Sequence, residues 1–180
     1  MPPNGRIDVK GLQRRCAAQL RRLELPDQFE LSAVVARVAE LRGRPIVLWP
    51  VASRPGPCGL WAALPGRDYV FYESDTSLMH QAHIVLHELG HLIWGHQSAY
   101  ILDVDLLQSL LPDLDPGMIE TVLRRARYET NEEQEAEVLA SLALQRLTPG
   151  EPATTPVGED ERIVLGRLGR SLESHDGSRP

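Results

Sequence analysis

The spacing of hydrophobic residues changes along the chain, and each spacing predicts a different kind of element. Over residues 8–42, apolar positions recur every three or four residues with charged residues between them, which is typical of amphipathic helices. Residues 45–51, 59–64 and 68–73 are short runs rich in Val, Ile, Trp, Tyr and Phe, separated by Pro/Gly turns. This part of the chain therefore predicts N-terminal helices followed by a small antiparallel sheet of three strands, spanning residues 45–73.

The remaining hydrophobic pattern returns to helical spacing. Further helices are predicted at residues 78–95, 100–111, 116–128 and 132–147. Thr148-Pro149-Gly150 ends the last of them, and the Pro- and Glu-rich residues 148–180 predict a linker and a flexible C-terminal tail. We therefore expect one mostly helical α+β domain over residues 1–147.

The helix predicted at residues 78–95 contains the sequence His87-Glu88-Leu89-Gly90-His91. Residues four apart lie on one helix face, so the rings of His87 and His91 can converge on one metal ion. Glu88 is offset from them and is placed to act as a general base on a water at the metal. Two imidazoles and a carboxylate favour Zn²⁺. A chance occurrence is the alternative, but the neighbouring residues are apolar, and burying unpaired His and Glu side chains is costly.

A hydrolytic zinc site needs a third protein ligand, and the sequence offers several candidates. They are His96, Glu132, Glu133, Glu135 and Glu137. If residues 132–147 are helical, extending their apolar stripe toward the N-terminus passes closest to Glu135, with Glu132 or Glu133 as alternatives. His96 lacks the spacing of the zincins that use a third His, because Trp94 and Gln97 occupy the required positions. His83 continues the stripe of His87 and His91 by one turn.

Composition narrows the possible partners. The formal net charge is −6, which disfavours direct binding to nucleic acid or to an anionic membrane. A DNA-binding interpretation depends only on the basic run Arg124, Arg125 and Arg127, which is most simply a solvated helix face. The two cysteines, Cys16 and Cys58, form no disulfide framework, and no stretch reaches about 20 apolar residues. A cytoplasmic protein is expected.

The motif residues resemble those of the ImmA/IrrE family of metallopeptidases. The resemblance runs over residues 43–149: the His87–His91 motif is followed by Gly95 and His96, and then by a helix of the form Glu135-Ala136-x-x-x-Ala140 that ends before Pro149. It implies a zincin-like fold, zinc bound by His87, His91 and Glu135, and Glu88 as the catalytic base. It also implies a regulatory role, in which the enzyme cleaves a helix-turn-helix transcriptional repressor.

These observations predict a zinc-dependent endopeptidase that cleaves a partner protein such as a helix-turn-helix repressor. The alternative is a non-proteolytic regulator that keeps zinc and binds a transcription factor. Residues 68–73, interpreted as an edge strand, could align an extended substrate by strand addition. The candidate donors to a developing oxyanion are Tyr72, His96, Tyr100 and Tyr128. The identity of the substrate and the oligomeric state are left open.

Overall fold

The computed structural model describes residues 8–52, 59–64, 66–96 and 130–150. These residues form four helices and three strands. In chain order they are α1 (Val9–Arg22), α2 (Leu31–Arg42), β1 (Ile46–Val51), β2 (Gly59–Leu64), β3 (Arg67–Glu73), α3 (Leu78–Trp94) and α4 (Thr130–Leu144). The predicted α+β class is confirmed. The helices predicted at 100–111 and 116–128, and the predicted tail beyond residue 150, lie outside the described residues.

The first two helices follow the amphipathic pattern, and each has a recognisable residue at one end. Asp8 caps α1 by accepting a hydrogen bond from the Gly11 N–H at 2.9 Å. Gly43 ends α2 in the left-handed conformation (φ 67°), which glycine adopts without steric cost. The N-cap of α2 is Glu30, whose side chain makes no capping hydrogen bond.

The sheet is mixed, and the prediction of a purely antiparallel sheet is wrong. Its strand order is β1-β3-β2. β2 and β3 pair antiparallel with Trp61 opposite Val70, whereas β1 pairs parallel to β3 with Leu48 opposite Val70. Because β3 lies between the other two strands, residues 68–73 are not an edge strand. The strand-addition surface predicted there is therefore also wrong.

The central position of β3 follows from its side chains. All five interior residues of this strand, from Asp68 to Tyr72, are buried, so both of its faces are covered. A strand covered on both faces is typical of the middle of a sheet. Pro50 lies in β1, an outer strand of this sheet, where its missing N–H costs no hydrogen bond.

Helix α3 lies at the centre of the packing and contacts α2, α4, β2 and β3. Its residues Val85, Leu86 and Leu89 are completely buried in a hydrophobic core that also includes side chains of the sheet and the other helices. Among the described residues, no helix is long and apolar enough to cross a membrane. Because α3 packs against two helices and two strands, the helix that contains His87 and His91 is held on several sides.

Candidate metal centre

Helix α3 brings His87 and His91 together, as the four-residue spacing predicts. Ser77 caps its N-terminus by accepting from the His80 N–H at 3.3 Å, and Gly95 ends it in the left-handed conformation (φ 72°). The Nε2 atoms of His87 and His91 lie 3.1 Å apart, and their rings meet edge to face. The two nitrogens therefore point to the same place beside the helix.

Helix α4 supplies a carboxylate to this place. Glu133 Oε2 lies 3.4 Å from His87 Nε2, and Glu133 Oε1 lies 3.8 Å from His91 Nε2. His91 is fully buried, whereas the side chain of Glu133 is 47% exposed, so the group is closed on the α3 side and open on the α4 side. Glu133 is thus the member of the group that is most accessible to solvent.

The geometry of His87, His91 and Glu133 fits a metal ion. Zn–N distances of about 2.0–2.1 Å place neighbouring ligand atoms of a tetrahedral site roughly 3.3 Å apart, close to the separations of these three side chains. One ligand atom from each residue lies within 4.8 Å of the others. The group could therefore hold a metal ion, and its two imidazoles and one carboxylate are a donor set that zinc accepts.

The approach of α4 to α3 depends on Gly90 and Ala136. A Cβ atom on Gly90 would lie 3.0 Å from Ala136 Cα and 3.2 Å from Ala136 O, which is tighter than ordinary contact, so a larger residue would require the Ala136 backbone to shift. Glu133 lies three residues before Ala136 and therefore on the same face of α4. The contact between Gly90 and Ala136 thus places Glu133 beside the two histidines.

The structure directs Glu135, the predicted third ligand, to different partners. Its Oε1 accepts from Arg15 Nη2 at 3.1 Å, and its Oε2 lies 3.2 Å from His96 Nε2. The side chain of Glu135 is 20% exposed and that of Glu133 is 47% exposed, so Glu135 is the more buried of the two, as its position near the apolar stripe of the helix predicts. However, α4 packs against α1 as well as α3, and Glu135 faces α1. Glu133, one of the two alternatives left open by the sequence, joins His87 and His91 instead.

Glu88, the predicted catalytic base, is buried beneath the sheet. It accepts a hydrogen bond from the Trp61 N–H of β2, and its Oε2 has no hydrogen-bond partner in the described part of the chain. A Cβ atom on Gly59 would lie 2.8 Å from Glu88 Oε1, so β2 approaches this carboxyl group closely. Burial raises the pKa of Glu88 to about 8, with the negative charge of Glu133 adding to the rise and the Trp61 N–H opposing it.

The environment of His91 keeps its ring neutral. Burial, together with the neighbouring rings of His87 and His96, lowers the pKa of His91 to about 3. Neutral imidazole is the form that binds metals, because the lone pair of one ring nitrogen must be available. The buried side of the group is thus chemically suited to a cation at physiological pH.

Other residues singled out from the sequence occupy varied places. His83 Nε2 lies 3.1 Å from Glu137 Oε2, and the same carboxylate oxygen lies 3.5 Å from His87 Nδ1, so His83 touches the site through Glu137. Tyr72 is buried in the sheet, and Cys16 is buried with a free thiol. The remaining residues lie outside the described ones: Cys58, Tyr100, Arg124, Arg125, Arg127 and Tyr128.

Comparison of the chain with models of known protein families, with curated proteins and with solved structures finds no match. The resemblance to the ImmA/IrrE metallopeptidases therefore depends on the motif residues alone. The geometry of His87, His91 and Glu133 is the observation that any functional argument must start from.

Proposed function

We propose that this chain is a zinc-dependent metallopeptidase whose ion is held by His87, His91 and Glu133. The observation that carries the proposal is the convergence of these three side chains, with separations that suit a tetrahedral ion. A zinc ion bound there would supply Lewis acidity and a water of lowered pKa. Glu135, the residue favoured by the hydrophobic phase, has a different role in this proposal.

Glu88 is the proposed general base. It directly follows the proposed ligand His87 on α3, and it is not itself a member of the group that could hold the ion. Its deprotonated form, whose share grows as the pH rises toward the pKa of about 8, takes a proton from the attacking water and later passes that proton to the leaving amine. Within the described part of the chain its buried Oε2 has no hydrogen-bond partner, and such a costly burial is typical of a residue retained for chemistry rather than for stability.

The proposed substrate is an extended segment of a protein. β2 is an outer strand of the described sheet, and its Trp61 N–H and Gly59 both contact Glu88. A peptide that pairs with β2 would lie next to the proposed base, with main-chain hydrogen bonds holding it. β2 thus replaces the strand that the sequence pattern assigned to this role. A helix-turn-helix repressor is the first partner to test, on the basis of the motif resemblance.

The test compares zinc-loaded wild-type protein with Glu88→Gln on a tryptic peptide library and on a purified helix-turn-helix repressor. Mass spectrometry detects new termini in both substrates. We expect wild-type protein to produce them and Glu88→Gln to lose at least about 100-fold in rate, because a general base contributes roughly that much. Glu88→Gln should keep its zinc.

The control is Glu40→Gln, which removes an exposed carboxylate on α2 that pairs with Arg37. It should cleave at the wild-type rate. Cleavage by Glu88→Gln at the wild-type rate would contradict the mechanism. A zinc-loaded wild-type protein that cleaves neither substrate would contradict proteolysis and favour the non-proteolytic regulator.

A further inference from the structure

A continuous series of polar contacts runs from His91 to the surface of α1. His91 Nδ1 lies 3.0 Å from His96 Nδ1, and His96 Nε2 lies 3.2 Å from Glu135 Oε2. Glu135 Oε1 then accepts from Arg15 Nη2 at 3.1 Å. We refer to His91, His96, Glu135 and Arg15 as the histidine–carboxylate series. It begins at the ring nitrogen of His91 that faces away from His87 and Glu133.

The series permits only one arrangement of protons when a metal is bound. His91 Nε2 is the nitrogen directed toward His87 and Glu133, so it must offer its lone pair and the ring proton must lie on Nδ1. His91 Nδ1–H can then donate only if His96 Nδ1 accepts. His96 therefore carries its proton on Nε2 and donates it to Glu135, which accepts as a carboxylate. Each contact in the series determines the next.

The surroundings hold His96 in this position. The backbone N–H of His96 donates to the backbone carbonyl of His91 at 2.9 Å, within the turn that Gly95 makes at the end of α3. The ring of Trp94 stacks over the His96 ring with the two planes only 4° apart. His96 is itself buried. The His96 ring is thus fixed by its backbone, by stacking and by Glu135.

We propose that His96 and Glu135 are positioning residues, which fix the tautomer of His91 so that its Nε2 is presented to the metal. This inference rests on the metal site proposed above and extends it to residues that do not touch the ion. A ligand histidine that donates its other ring N–H to a carboxylate is better oriented and more basic. Here the carboxylate acts through a second histidine, and Arg15 holds that carboxylate in turn.

The first test measures zinc affinity of the full chain at neutral pH by competition with a chromophoric chelator. His96→Leu removes the acceptor for His91 Nδ1–H, and we expect zinc to bind roughly 10–100-fold more weakly. His96→Asn places an amide oxygen near the position of the lost Nδ1 and should recover much of the affinity. His80→Leu removes an exposed histidine of the same helix and should bind zinc as wild type does.

Three outcomes are decisive. Wild-type affinity in His96→Leu would overturn the proposal, and so would equal losses in His96→Leu and His96→Asn. A wild-type chain that binds no zinc would contradict the metal site itself. The zinc affinity of the wild-type protein is therefore measured first, which separates this outcome from the two that concern His96.

The second test needs no variant and so does not depend on how His96→Leu folds. Nitrogen-15 NMR of the zinc-loaded wild-type protein, with labelled histidine, identifies which ring nitrogen carries each proton. We expect His96 to be protonated at Nε2 and His91 at Nδ1. A His96 ring protonated at Nδ1 would overturn the proposal, because that nitrogen could not accept from His91.

Discussion

Gly90 is the residue on which the contact between α3 and α4 depends. In Gly90→Ala the new Cβ would meet the backbone of Ala136, which cannot move without displacing α4. Overpacking of this kind costs about 1–3 kcal/mol, whereas the better helix propensity of alanine returns only about 1 kcal/mol. We predict a net loss of unfolding free energy, measured by urea denaturation, together with weaker zinc binding.

Two comparisons isolate this effect. In Gly150→Ala the new methyl group has open space around it, so stability should change by less than about 0.5 kcal/mol. Adding Ala136→Gly to Gly90→Ala should restore little, because the closest atoms are backbone atoms that glycine also has. If Gly90→Ala is as stable as Gly150→Ala and binds zinc as wild type does, the close helix contact does not position Glu133.

At the residue scale, the sequence predicts the relative placement of site residues that lie on the same helix. His87, Glu88 and His91 follow from their spacing on one helix. The third member of the group could not be obtained in the same way, because burial distinguishes inside from outside but not one neighbouring helix from another. The available signal was the pair of small residues: Gly90 on α3 permits a close approach, and Glu133 lies one turn before Ala136, which meets it.

At the scale of elements, the C-terminal end of α4 is tied to the segment between α1 and α2. Arg146 donates to the carbonyls of Pro26 at 2.8 Å and Asp27 at 3.1 Å, and its guanidinium lies over the Phe29 ring. Phe29 also exchanges backbone hydrogen bonds with Arg146 and Thr148. These contacts join parts of the chain that are distant in sequence.

Arg146→Ala should therefore lower the unfolding free energy by about 1–3 kcal/mol, since hydrogen bonds from a charged donor contribute that much. Zinc affinity should stay at the wild-type level, because Arg146 lies about 20 Å from Glu133 along the helix axis. Arg22→Ala, which removes an exposed arginine that contacts Gln19, is the control and should change stability little. An Arg146→Ala protein with normal stability but weakened zinc binding would contradict this division of roles.

The elements themselves were largely predictable, whereas their arrangement was not. Hydrophobic spacing located all three strands and the described helices, with small errors at the ends. Strand order depends on contacts between residues distant in sequence, and short local patterns favoured a purely antiparallel sheet. Pro50 did carry one usable signal, because a strand containing proline belongs at an edge.

At the scale of the whole molecule, the candidate metal group joins two helices that share one hydrophobic core. His87 and His91 come from α3, Glu133 comes from α4, and buried side chains of both helices pack in the same core as those of the sheet. A metal that binds the folded chain but not the unfolded chain stabilises it by linkage. Zinc binding and global stability should therefore be coupled, so affinity must be measured on folded variants.

The most direct measurement is the zinc affinity of Glu133→Gln beside that of Glu135→Gln, each checked for folding by circular dichroism. We predict that Glu133→Gln loses more than roughly 100-fold in zinc affinity. A residue that contacts a ligand but not the metal is expected to lose only about 10–100-fold. Glu135→Gln keeps an acceptor oxygen for His96 and should lose less than about tenfold. The opposite order, with zinc lost in Glu135→Gln and kept in Glu133→Gln, would contradict the proposed metal centre.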